Sequence, residues 1–182
     1  MKFNNLPIDV RRVLVTGGAG FIGGALIRRL LSCTNIEIFN LDKLGYSSDL
    51  TSIEILLNKK NSYKSRYHFL NVDLHNYTKT AEVVKFANPD LVFHLAAERH
   101  VDRSIEQPYD FIQSNIIGTF NLIEAVRLHW NNLKPDRKDL FKFHHISTDE
   151  VFGSLDDTDS LFSEETAYSP RSPYSASKAS SD

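Results

Sequence analysis

The sequence predicts an α/β fold, a parallel sheet wound on both faces by helices. Three observations carry that reading. Short runs of β-branched and aromatic residues alternate with longer amphipathic segments. A glycine-rich turn joins the first such run to the first amphipathic segment. Polar residues gather where the later runs end. Strands that alternate with helices imply parallel pairing through right-handed crossovers, and ligands of such sheets bind at the carboxyl ends of the strands.

Strands are expected at 11–16 (RRVLVT), 36–41 (IEIFNL), 67–72 (YHFLNV), 91–97 (LVFHLAA) and 141–148 (FKFHHIST). Helices are expected near 21–32, 48–59, 77–87 and 109–131. The last is the most regular: Phe111, Ile112, Asn115, Ile116, Thr119, Leu122, Ile123 and Val126 recur at roughly helical spacing. Pro108 suits the first turn of that helix, where a missing N–H does no harm. The acidic, serine-rich stretch from 154 reads as a surface loop that runs to 172. A short helix follows, with Ser172 as cap and Pro173 in its first turn. The length of 182 residues suits one domain and scarcely two.

Composition excludes several function classes. With 41% hydrophobic and 24% charged residues the chain is an ordinary globular one. Its formal charge of −2 gives no electrostatic basis for binding nucleic acid or an anionic membrane. No apolar run approaches the ~20 residues that span a bilayer. The single Cys33 excludes an intrachain disulfide and fits a reducing cytoplasm. No basic segment followed by an apolar core opens the chain, so no export signal is expected. His144 and His145, neighbours on a strand, point to opposite faces and cannot chelate together. His94 is expected to pack within its strand and His100 to orient its loop, and no metal site is expected.

After the first strand comes TGGAGFIGG, with Gly17, Gly20 and Gly23 at G-x-x-G-x-x-G spacing. One glycine permits the tight strand-to-helix turn, one lets a pyrophosphate approach the backbone, and one lets the helix pack closely. The pyrophosphate then faces the unpaired N–H groups and positive dipole end of the helix. Asp42, at the end of the second strand, is set to accept hydrogen bonds from both adenosine ribose hydroxyls and to repel a 2′-phosphate. NAD is therefore expected over NADP, a preference that the neighbouring Lys43 softens. Asp73-Leu74 and Ala96-Ala97 fall at the ends of the third and fourth strands, on the same edge. The pattern is that of a Rossmann dinucleotide site.

Tyr174 and Lys178 stand at i and i+4, on one face of the short helix. An ammonium beside a phenol lowers the phenol's pKa, so Lys178 is expected to ready Tyr174 to take a proton. The spacing alone is common by chance; its place after a dinucleotide site and a fifth strand gives it meaning. STDEVFG, at the end of that strand, offers the Thr148 hydroxyl and the adjacent carboxyl groups of Asp149 and Glu150. An acid and a base on one bound sugar allow water to be eliminated.

VLVTGGAGFIGG, LDKLGYSSDL, HLAAERHVDRSI, FIQSNIIGTFNLIEAVR, FHHISTDEVFGS and SPYSASKASSD together resemble the dTDP-glucose 4,6-dehydratase family of the extended short-chain dehydrogenase/reductase superfamily. The resemblance implies NAD as cofactor and a nucleotide sugar, dTDP-glucose, as substrate. It implies that Tyr174, helped by Lys178 and Thr148, deprotonates the C4 hydroxyl while hydride leaves C4. Glu150 would then take the C5 proton as Asp149 protonates the departing C6 hydroxyl, and hydride would return to C6. Cofactor contacts carry over to Phe21, Ile22, Asp42, Lys43, Leu44, Gly45, Asp73, Leu74, Leu95, Ala96, Ala97, Glu98, Ser114, Tyr174 and Lys178. A homodimer through the 109–131 helix is implied as well.

The chain departs from that family's pattern at four positions. Gly45 and Ser114 stand where Thr is common, and Phe152 where Tyr is usual. Arg99 replaces a small hydroxyl residue that contacts the sugar, and so bears on substrate identity. Chains of the family are longer, continuing into further strands and a C-terminal sugar-nucleotide domain. Residues 1–182 are accordingly expected to form the NAD-binding part, with little or no turnover alone. An epimerase or decarboxylase of the same superfamily, or a non-catalytic nucleotide-binding fragment, are the alternatives. Only dehydration gives a product lighter by one water.

Overall fold

The computed structural model describes residues 10–155 and 161–182. At the centre of its sheet lies β1 (Arg12–Thr16), with Val13, Leu14, Val15 and Thr16 wholly buried. It pairs in parallel with β2 (Glu37–Asp42) on one side and β4 (Leu91–His94) on the other. β3 (Tyr67–Asn71) and β5 (Lys142–His145) lie outermost, giving the order β3-β2-β1-β4-β5. In chain order the helices are α1 (Phe21–Cys33), α2 (Thr51–Leu57), α3 (Asn61–Lys64), α4 (Tyr77–Ala87), α5 (Val101–Glu106), α6 (Pro108–Phe111), α7 (Gly118–Asn131), α8 (Pro135–Leu140) and α9 (Pro173–Ala179). A π turn, Ile112–Ile117, joins α6 to α7. This is the doubly wound Rossmann arrangement that the alternation of elements predicts.

Alternate strand residues serve opposite faces. Val13, Val15 and Ile38 pack with Ile27, Leu30 and Leu31 of α1 and Ile53 of α2. Leu14, Phe39, Leu41 and Val92 pack with Val83 and Val84 of α4 and Leu122 and Val126 of α7. Each fully buried aliphatic side chain contributes roughly 1.5–3 kcal/mol relative to exposure. The amino edge of the sheet is fastened by Asp90. Its Oδ2 accepts from the Arg11 and Arg12 N–H groups, and its Oδ1 from Arg137 at 2.6 and 3.0 Å.

Several expected bounds shift for identifiable reasons. β4 and β5 end at His94 and His145, short of 97 and 148, because β1 turns away at Gly17 and a strand cannot outlast its partner. One further bond on each, Leu95 N to Thr16 O and Ile146 N to His94 O, completes the ladder. The helix expected at 48–59 starts at Thr51, since Ser48 and Asp49 are taken up in turns: Ser48 N donates to Gly45 O, and Asp49 Oδ1 accepts from Thr51 N. The expected 109–131 helix is interrupted by the π turn. α3, α5 and α8 are too short to leave a periodic signature. In the surface loop, residues 156–160 lie outside the described residues. The part after them is tied down, with Phe162 and Tyr168 packing on Phe152. No helix among the described residues is long and apolar enough to cross a membrane.

His94 is buried in β4, bridging the hydroxyls of Thr16 (2.6 Å) and Thr119 (2.9 Å), which join sheet to α7. Burial, followed by the nearby His145 and Lys178, lowers its pKa to about 3. Above pH 6.5 the ring is neutral whether folded or not. Between 6.5 and about 3 only the unfolded chain takes up the proton, so stability should fall as the pH drops through that window, by about 1.4 kcal/mol per unit at most. Urea denaturation from pH 7 to 4 should show this slope, and a His94→Gln chain should show a shallower one.

Candidate active site

β1 ends at Thr16, and the chain turns through Gly17 with φ of +71°, a conformation natural to glycine. A Cβ there would stand 2.6 Å from Ala96 N and 2.8 Å from Leu95 C, so this turn and the exit of β4 meet backbone to backbone. Gly23 approaches Gly17 O as closely, which seats the first turn of α1 on the loop. Gly18, which the spacing argument passed over, is pressed against Asn40 and Ile27. Gly20 differs. An added carbon would meet only Gly17 O at 3.2 Å, so its bareness chiefly keeps the cleft open. Gly20 caps α1 without a side-chain hydrogen bond, and no acidic side chain lies in the first turn. The leading N–H groups of α1 have no intrahelical partners, and with the positive helix end they form a cradle for a pyrophosphate. Phe21 and Ile22 are exposed beside it.

The cleft that opens from this turn is lined by Asp42, Lys43 and Gly45 after β2, by Asp73 and Leu74 after β3, and by Leu95 to Arg99 after β4. Ser114 of the π turn and Tyr174 and Lys178 of α9 complete it. Leu44 stands outside the lining. It adopts a φ of +56° and donates its N–H to Asp42 Oδ1 at 2.8 Å. Asp42 itself is more occupied than its place in the sequence implies. Oδ1 also accepts from Ser48 Oγ at 2.9 Å, and Oδ2 from Ala19 N at 3.0 Å. Of four lone pairs, one remains, so a second ribose hydroxyl has to displace the Ser48 hydroxyl. Lys43 turns away from Asp42: its Nζ lies 3.1 Å from Glu98 Oε1 and donates to Ser114 Oγ at 3.1 Å. Its charge is thereby met by Glu98 and does little to weaken the selectivity of Asp42. Space at Gly45 is open, with only Lys43 Cε at 3.6 Å.

Asn115 is the functional side chain that the periodicity absorbed into an apolar stripe. The π turn directs it inward, fully buried. Its Oδ1 accepts from Glu98 N (2.8 Å), and its Nδ2 donates to Glu98 O (2.9 Å) and Ser177 Oγ (2.8 Å). One amide thus fixes the loop after β4 to α9. A polar residue on the buried face was the signal; π turns are frequent at functional sites for this kind of re-aiming.

α9 begins as its sequence suggests, with Pro173 in the first turn and Ser172 and Ser175 forming a reciprocal capping box. Thr148 lies near enough to the Tyr174 phenol for its hydroxyl to favour the phenolate. Thr148 also caps the 3₁₀ turn Asp149–Phe152, accepting from Glu150 N. Thr148, Asp149 and Glu150 do not line the main cleft: Thr148 and Asp149 line a shallow depression that shares Ser147 with it, and Glu150 lines neither. The expectation for the phenol is corrected. Burial raises the pKa of Tyr174; the Thr148 hydroxyl opposes it, Glu150 adds to it, Arg99 opposes it and Asp149 adds to it. Lys178 follows one turn later and is buried. Its ammonium donates to Ile146 O at 2.8 Å, and burial holds its own pKa down. Arg99, whose charge favours the phenolate, lines the same cleft. Among the described residues no group of three or more His, Cys, Asp or Glu side chains gathers as a metal site.

A profile of the GDP-mannose 4,6 dehydratase family matches residues 14–182. The chain belongs to that family. Within it, the chain is similar to the dTDP-glucose 4,6-dehydratase of Neisseria meningitidis serogroup B, 49% identical over 173 residues that make up 95% of this chain and 47% of that one. The dTDP-glucose 4,6-dehydratase of Bacillus anthracis, solved in complex with NAD, superposes with a TM-score of 0.75 at 34% identity, covering 94% of this chain and 48% of that one. A UDP-Glc/GlcNAc 4-epimerase of Campylobacter jejuni superposes with a TM-score of 0.78 at 27% identity, covering 94% of this chain and 46% of that one. The chain spans about half the length of the curated relatives it matches. The names of family and curated relatives differ in sugar nucleotide and agree in the reaction, 4,6-dehydration.

The glycines make a paired prediction. Gly17→Ala should cost on the order of 1–3 kcal/mol of stability for a left-handed non-glycine residue, with more from the contact with Ala96. Gly45→Thr should change stability by no more than about 0.5 kcal/mol. Urea denaturation of both variants against the parent chain measures the difference.

Proposed function

We propose that residues 1–182 are the NAD-binding part of a sugar-nucleotide 4,6-dehydratase that acts on dTDP-glucose. The observation that carries this reading is a juxtaposition at one sheet edge. The Tyr174 phenol opens into the cleft beside the glycine turn, its hydroxyl lies beside Thr148, and the carboxyl groups of Asp149 and Glu150 follow in the next turn. Inversion at C4 has no use for an acid and a base at C5 and C6; dehydration needs both.

In this reading the α1 N-terminus holds the pyrophosphate, Asp42 the adenosine ribose, and the segment from Leu95 to Glu98 with Ser114 the remainder of the dinucleotide. NAD, when bound, accepts hydride from C4 and returns it to C6. Tyr174 takes the proton of the C4 hydroxyl, with Thr148 steadying that oxygen. The C4 ketone makes the C5 proton acidic, and Glu150 removes it. Asp149 gives its proton to the C6 hydroxyl, which leaves as water. Arg99 faces the sugar and favours the phenolate form of Tyr174.

The chain spans about half the length of the relatives it matches, and slight turnover is the expectation for these residues alone. Two further features belong to the same reading. Tyr109, Ile112, Phe120 and Ile123 form an exposed apolar stripe along α6, the π turn and α7, suited to a homodimer. The lone exposed Cys33 suits a reducing cytoplasm.

The test is conversion of dTDP-glucose by the full-length protein, read by product mass. A product lighter by one water is expected; a product of unchanged mass would favour an epimerase and overturn the proposal. Glu150→Gln should lower kcat on the order of 10²–10⁴-fold while NAD affinity holds. Arg99→Ser removes a charge that favours the phenolate, so the rising limb of kcat/KM against pH should move to higher pH.

A further inference from the structure

Behind Lys178 lies a polar cluster that the reaction above does not use. Asp182, one helical turn beyond Lys178, presents its carboxylate to the exit of β5. Its Oδ1 is 3.1 Å from His145 Nε2, and its Oδ2 accepts from Ser147 Oγ at 2.6 Å and from the Tyr168 hydroxyl at 3.1 Å. The side chains of Asp182 and His145 are 13% and 18% exposed, so water competes little for the bond between them, whereas the bonds from Ser147 and Tyr168 lie nearer the surface.

A carboxylate only accepts, so His145 Nε2 carries the ring hydrogen and donates to Asp182. Nε2 then has no lone pair for Lys178, whose Nζ lies 3.4 Å away. The ammonium's acceptor is Ile146 O, at 2.8 Å. His94, whose ring centre is 5.2 Å from that of His145, is neutral at any pH above about 3 and adds no charge. The result is a staple. Residues 145 and 147 share one side of an extended chain and both bind Asp182. The residue between them gives its carbonyl to Lys178, and the next one, Thr148, lies beside the Tyr174 phenol.

We propose that Asp182 is a positioning residue: held by His145, Ser147 and Tyr168, its carboxylate sets the register of α9 against the end of β5 and so aims Lys178 and Tyr174 into the cleft. The inference rests on the proton-taking role given to Tyr174 above and on the place of Lys178 in the lining of the cleft. Asp182 also acts on Lys178 through its charge. Burial pushes the ammonium toward deprotonation, and the Asp182 carboxylate opposes that.

The experiment labels the protein with ¹³C at lysine Cε and follows the Lys178 resonance, identified by its absence from Lys178→Arg, through a pH titration without ligands. Asp182→Asn should move the Lys178 titration to lower pH, speed amide exchange at residues 145–148, and be reversed at least in part by Asp182→Glu. If Asp182→Asn lowers the melting temperature while the Lys178 titration stays in place, the carboxylate is only structural and the proposal fails. Should Asp182→Asn not fold, Ser147→Ala removes one arm of the staple. It should speed exchange of the Ile146 amide several-fold, and unchanged exchange there would overturn the proposal. Neither readout involves cofactor or substrate, so absent turnover would count against the proposed reaction and not against the staple.

Discussion

At Gly17 the backbone of the glycine turn and the backbone leaving β4 touch, with no room for one additional carbon between them. The rest of the site depends on that contact. It ends β1, which obliges β4 and then β5 to leave the sheet, and their departing segments become the walls of the cleft. It directs α1 so that its free N–H groups face the same opening as the ends of β2 and β3. A positive φ of 71° at Gly17 admits glycine at little cost and L side chains only with strain. The binding edge is therefore a consequence of one backbone conformation, to which the side chains adapt.

The second wall is joined to the first by single side chains that each hold two segments. Asn115 ties the loop after β4 to α9, His94 ties β1 to α7, and Asp182 ties α9 to the end of β5. All three are polar, shielded and mostly satisfied, the condition under which buried polar groups give rigidity. Among the described residues His145 Nδ1, like Arg12 Nε and Asn40 Oδ1, is buried without a hydrogen-bond partner. Tyr174 and Lys178 are thus presented by a short helix whose few residues are marginal alone and which is held through Asn115 and Asp182.

Much of this was legible in the sequence. Five strand runs, the glycine turn, the carboxyl-edge placement of Asp42, Asp73 and Ala96, and the Ser172–Pro173 start of α9 follow from local chemistry. Nearly all the predicted cofactor residues line one cleft because strand ends converge once the sheet is parallel. What was not legible depends on long-range partners. Asp42 lost its expected spare capacity to Ala19 and Ser48. Lys43 was drawn off by Glu98. Lys178 gave one of its donors to Ile146 O, and Arg99 came to line the cleft with Tyr174. Asn115 fitted the helical period so well that its polarity was passed over. Spacing gives direction along the chain, whereas these assignments turn on which carbonyl or carboxylate arrives from across the fold.

The most direct test of the account is a calorimetric titration of the 182-residue chain with NAD and, separately, with NADP. The account predicts one NAD per chain and NADP binding weaker by roughly tenfold or more, since a 2′-phosphate would face the Asp42 carboxylate and like charges in contact cost several kcal/mol. No binding of NAD, or equal affinity for the two, would contradict the placement of the dinucleotide on the glycine turn and Asp42.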